Sequence, residues 1–171
     1  MAEEMIVVDH KTLDYQGLVD IPEFYKVVDG YFKRRGYDKK EALTAENVTE
    51  TGKYMEVRLE PWKTLTDYAQ SKFVIRIQFF DTKEVEIEID KVKKRIHQAH
   101  VKIVTDAYLV TDYEGRWEEN AFSFFIRTLM DRYFLRSLTN KQRAEIAEDV
   151  ERFYQLIGSF LNIQKYRMST Y

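Results

Sequence analysis

The 171-residue chain contains no cysteine. That excludes disulfide frameworks and thiolate zinc sites, and it fits a reducing compartment. Only 2 prolines and 6 glycines interrupt it, and one domain spanning residues 1–171 is the natural reading, long enough to bury a core without staples. No apolar run approaches the roughly 20 residues needed to cross a bilayer. The acidic start, Met-Ala-Glu-Glu, does not read as a signal peptide, so a cytoplasmic chain without membrane association is expected. Charge of one sign is missing too: 27 Lys and Arg against 29 Asp and Glu leave a net −2, and nucleic acid would have to be held by a local patch. There is no Gly-x-Ser-x-Gly, phosphate loop or dinucleotide fingerprint. The chain therefore points away from an enzyme, and no catalytic residue, cofactor or metal is assigned.

What is present is aromatic content, 15%, and clear periodicity. Phe24, Val27, Val28, Tyr31 and Phe32 recur at helical spacing between Asp20, a plausible N-cap with Pro22 and Glu23 behind it, and Gly36. Met5 to Val8 reads as a short edge strand, and Asp14-Tyr-Gln-Gly17 as a turn. Residues 37–52 carry no strong pattern and read as a surface connection. Alternation returns at Met55, Val57 and Leu59, a strand that Pro61 is expected to end, with 62–70 as a linker. Phe73, Ile75, Ile77 and Phe79, then Val85, Ile87 and Ile89, predict a hairpin about the turn Asp81-Thr-Lys83. A long strand follows through Val101, Ile103, Ala107 and Leu109. The alternation predicts an antiparallel sheet with one dry face. Beyond it a helix over 121–133 is predicted, and Thr139-Asn-Lys-Gln142 matches a capping box for a last helix through Ile146, Val150, Phe153, Ile157 and Leu161. The expected fold is α+β: a curved antiparallel sheet of four to five strands, packed on one face by an N-terminal helix and two C-terminal helices, helix-grip-like.

Four groups of residues compete for a role. Lys91, Lys93, Lys94 and Arg95 form the densest positive cluster, either an RNA contact or a solvated hairpin tip that discourages edge pairing. Glu84, Glu86, Glu88 and Asp90 line one strand face, either a hold for a divalent cation or a basic partner or, more simply, a solvated face paired with cross-strand Arg76 and Lys102. His97 and His100 point to opposite faces if both lie in a strand, so they do not chelate one ion, and His10 has no evident partner in sequence. Aromatics in connections, Tyr37, Trp62, Tyr68, Tyr113 and Trp117, either rim a cavity or interface or close the ends of the core. The corner of Tyr113, Glu114, Arg116 and Trp117, with Trp62, is least explained by core periodicity.

At Gly36-Tyr-Asp-Lys-Lys-Glu41, Glu60-Pro-Trp-Lys63 and Thr111-Asp-Tyr-Glu-Gly-Arg-Trp117 the chain resembles an uncharacterised family of archaeal proteins. The resemblance implies an intracellular archaeal setting and carries over no functional residue. The expectation is a non-catalytic binding domain with a protein partner, using Trp62, Tyr113, Glu114, Arg116 and Trp117. An RNA- or ribosome-associated factor using residues 91–95 is the first alternative. A small-ligand carrier or enzyme with a pocket between the sheet and the C-terminal helix is the second.

Overall fold

Alternating residues build a five-stranded antiparallel sheet, seen in a computed structural model that describes residues 3–48, 52–89, 92–111 and 135–169. The elements are β1 (Glu3–Val19), α1 (Ile21–Arg34), β2 (Asp38–Val48), β3 (Lys53–Thr64), β4 (Ala69–Ile89), β5 (Val92–Thr111) and α2 (Leu135–Ser169). In space the strands run β1-β5-β4-β3-β2. The odd residues Phe73, Ile75, Ile77 and Phe79 of β4 and Val101, Ile103, Thr105, Ala107 and Leu109 of β5 are buried, and α1 and α2 both pack on their side of the sheet. The alternation therefore does have one dry face, as the period-2 pattern requires.

The two helices bury rings against that face. Phe24 meets Phe79 at 5.8 Å, Phe32 meets Phe73 at 5.8 Å, and Phe153 of α2 lies 5.3 Å from Phe32. Asp20 caps α1 as its spacing predicts, accepting from the Glu23 amide at 3.2 Å. Past the Arg35 cap, Gly36 takes φ +75°, where a side chain would be strained. In α2, Ile146, Val150, Phe153, Ile157 and Leu161 are all buried, the predicted seam.

Several expectations are corrected. The first strand is 17 residues long, and Asp14-Tyr-Gln-Gly17 is not a turn: it pairs with Lys102 to Ala99. Residues 38–48 are strand β2 rather than a connection, paired to β3 along its length; an edge strand exposed on several positions has no need of apolar alternation. Pro61 does not end β3. It pairs with Lys39 on one side, while on the other the register passes from Leu59–Ile75 to Trp62–Lys72 across the ring that has no proton to donate. Asp81 does not make a turn: β4 runs unbroken for 21 residues. Asp81 and Thr82 form a bulge opposite β5, with Asp81 at φ +51°. Turn-forming residues suit a bulge equally well, because both want a positive φ. Gly52 lies against this bulge, where a Cβ would stand 2.8 Å from the Asp81 carbonyl carbon. The Thr139 capping signature lies inside α2, which starts at Leu135, since good helix formers continue upstream of it. The predicted helix over 121–133 lies outside the described residues.

Candidate binding face of the sheet

The face that α1 and α2 leave uncovered is made by the even residues of β3, β4 and β5, and the registers arrange them in rows. One row crosses every strand: Ile6 pairs with Tyr108, Tyr108 with Lys72, Lys72 with Trp62, and Trp62 with Asp38. Ile6 is 54% exposed, and Tyr108 and Trp62 are half-buried. Trp62 also lines a concavity of about 270 Å³ shared with Glu4, Lys40, Glu60, Gln70, Lys72 and Val110. Lys72 donates to Glu4 at 3.1 Å across the floor of this hollow. Thr111 pairs with both Glu3 and Ala69, so the chain reaches the end of the sheet beside Trp62 just before residue 112. Tyr113, Glu114, Arg116 and Trp117 lie outside the described residues.

Four residues further along β3 and β4 the face becomes ionic. Arg58 and Arg76 stand directly opposite one another, an arrangement that repels unless each is neutralised. Glu60 takes Arg58 at 3.0 Å and Asp106 takes Arg76 at 3.4 Å. Beyond them an aromatic row returns, with Phe80 5.3 Å from Tyr54 and 5.5 Å from His100. His100 is held in turn by Asp14 at 2.8 Å.

The β1 bulge makes a second constellation on the same face. Between the pairs Val8–Ala107 and Lys11–Thr105, Asp9 and His10 together oppose Asp106. His10 takes φ +46°, and its amide donates to Asp106 Oδ1 at 2.8 Å. Its ring Nδ1 lies 2.5 Å from Asp9 Oδ1 and 3.2 Å from Asp106 Oδ1. The Asp106 side chain is 5% exposed, while Asp9 and His10 are open to solvent. The hydrogen bond to Asp9, then the Asp106 charge, raise the His10 pKa above its ordinary value. Sequence reasoning left His10 without a partner because its second carboxylate is 96 residues away; the adjacent Asp9 was the only signal available.

The described part of the basic cluster is exposed and lies beside the last β4–β5 pair, Ile89–Val92. Lys93, Lys94 and Arg95 are strand residues opposite Glu88, Ile87 and Glu86. Arg95 approaches Glu86 at 3.5 Å and Glu84 at 3.7 Å, so the acidic row is paired by Arg95 rather than by Arg76 and Lys102. Lys94 reaches the capping Asp20 at 2.5 Å. Lys91 and Asp90 lie outside the described residues. His97 and His100 are both in β5, three residues apart along the strand and so on opposite faces of the sheet.

Tyr37, expected in a connection, is buried. Its hydroxyl donates to Asp149 Oδ2 at 2.8 Å and lies 3.2 Å from Ser71 Oγ. Arg35 pairs with the other Asp149 oxygen, and Tyr31 donates to the Asp149 carbonyl at 2.6 Å. Burial pushes the Tyr37 phenol strongly up, and that of Tyr31 up to about 12. This network fastens α2 to α1 and the sheet, and it is structural in its position.

No protein-family model matches the chain, and no curated protein matches it either. No helix among the described residues is long and apolar enough to cross a membrane.

Proposed function

We propose that the chain is a non-catalytic cytoplasmic interaction domain that docks a protein partner on the end of the sheet around Trp62. The observation that carries this reading is the cross-strand row Ile6–Tyr108–Lys72–Trp62, apolar and aromatic surface beside a hollow edged by Glu4, Lys40 and Glu60. Aromatic anchors ringed by polar groups are the anatomy of a binding hot spot. Tyr113, Glu114, Arg116 and Trp117 follow Thr111 in sequence and belong to the proposal.

We read the finer architecture as helix-grip-like, supported by the strand order and by α2 lying across β1 and β5. In that arrangement a small ligand would sit between sheet and helix. The described part of that space is filled by Phe24, Phe32, Phe73, Phe79, Phe153 and Ile157, which favours the outer face over an internal pocket. Lys94 and Arg95 are exposed but already paired with Asp20, Glu84 and Glu86, which weighs against an RNA contact there, since charges already neutralised release fewer counterions.

The test is an affinity capture from native lysate with nuclease-treated and untreated arms, using wild-type chain, Trp62→Ala and Lys72→Glu. A protein retained by wild type in both arms and lost from both variants is the expected result. Retention that vanishes with nuclease, or that ignores both substitutions, overturns the reading.

A further inference from the structure

Independently of that reading, we propose that Asp9, His10 and Asp106 form a binding site for one divalent first-row transition ion. The three side chains offer one imidazole nitrogen and two carboxylate oxygens that all lie within 4.8 Å of one another. At metal–ligand bonds of about 2.1 Å, neighbouring donor atoms stand about 3.0 to 3.4 Å apart. The 3.2 Å between His10 Nδ1 and Asp106 Oδ1 fits that separation already. The 2.5 Å between His10 and Asp9 is tighter, and Asp9, 69% exposed, is free to swing outward by the few tenths of an ångström required.

The buried member of the set is positioned as a ligand should be. Asp106 is a carboxylate with 5% of its side chain exposed, on the sheet face away from the helices. The His10 amide donates to Oδ1 at 2.8 Å and Arg76 approaches Oδ2 at 3.4 Å. Each oxygen has two lone pairs, so Oδ1 keeps one for the ion beside the imidazole. Such outer partners fix the orientation of a ligating carboxylate. Arg76 stands on the oxygen remote from the histidine, neutralising Asp106 in part without occupying the site. Asp9 and His10 stay open to water, so coordination positions remain for solvent or a substrate group. The mixed nitrogen and oxygen donors favour Zn²⁺, Mn²⁺, Co²⁺ or Fe²⁺ over Mg²⁺ and Ca²⁺, which prefer oxygen alone. The bulge is what builds the site: a regular β1 has one residue opposite Asp106, and the inserted one brings two ligands to it.

The experiment is titration calorimetry of EDTA-stripped full chain with Zn²⁺ and with Mn²⁺, repeated for His10→Asn and Asp9→Asn. Asn tolerates the positive φ of His10, so the bulge is kept, and coincident thermal melts establish that both variants fold. The expected result is one site per chain for wild type, at least tenfold weaker in each variant, with Ca²⁺ unable to compete at equal concentration. In a parallel spectrum, Mn²⁺ broadens the amide resonances of Asp9, His10 and Asp106 before those of the Asp14–His100 pair. No saturable binding to wild type, unchanged affinity in His10→Asn, or equal competition by Ca²⁺ overturns the proposal.

Discussion

Asp149 is fully buried and yet carries a carboxylate. It holds its place because every side of it is answered: Arg35 and Tyr37 take its two oxygens, and Tyr31 takes its backbone carbonyl. Removing one member of such a set is costly since the others are left in low dielectric without partners. Asp149→Ala is expected to lower stability by about 3 kcal/mol in urea melts; Tyr37→Phe, which removes one donor only, by about 1 to 2 kcal/mol. Equal, small effects from both would show that the network contributes little. Residue-scale readings from the sequence were uneven for the same physical reason. Phe24, Phe32, Phe73 and Phe153 were placed correctly in the core because apolar burial follows periodicity. The partners of Tyr37 and His10 were not legible in this way, because a polar residue's role depends on what lies opposite it in space.

At the scale of single elements, α1 shows how local chemistry sets a boundary. Asp20 caps it, and although burial alone would raise this carboxyl, the Lys94 ammonium and the Glu23 amide outweigh burial and hold its pKa below the ordinary value. Asp29, on the same helix, is lowered first by Lys39 and then by Lys33. A carboxylate whose folded pKa is depressed contributes stability that is present above its unfolded pKa and lost as pH falls through the folded one. Stability is therefore expected to decline below about pH 4. In Asp20→Ala that decline is shallower, and at neutral pH the loss of the cap costs about 1 kcal/mol. Denaturant melts from pH 2 to 7 measure both, and an unchanged acid limb in the variant would remove Asp20 from the account. Bulges belong to this scale as well. Asp81 and His10 both sit at positive φ in long strands, and local sequence does not distinguish a bulge from a turn, because both use the same backbone conformation.

For the whole molecule, the decisive division is between the two faces of one sheet. Rings of α1, α2 and β4 interlock on the covered face, and Phe153→Ala is expected to cost about 3 to 5 kcal/mol there. Trp62→Ala, on the other face, is expected to cost about 1 kcal/mol, closer to a surface change. Chemical denaturation of the two variants side by side checks this. A comparable loss from Trp62→Ala would make the binding row part of the core and would weaken the functional reading. The alkaline limit is also a property of the folded whole. Burial holds Tyr31 and Tyr154 up to about 12, above the ordinary 10 or so. The unfolded chain then releases these protons first, and stability falls as pH rises past about 10. Absorbance at 295 nm, followed with unfolding, reports these phenols.

The amino-acid sequence by itself determined an α+β chain with a one-sided antiparallel sheet, the first helix with its cap, and the seam of the last, because all of these rest on periodicities and capping contacts spanning a few residues. Tertiary structure alone decided that β2 exists as an edge strand and that β4 bends at a bulge instead of turning. It also decided that Trp62 joins a row crossing five strands, and that His10 meets Asp106 across 96 residues of chain. Those features depend on strand register, and register is set by the packing of the whole sheet against its helices rather than by any one segment.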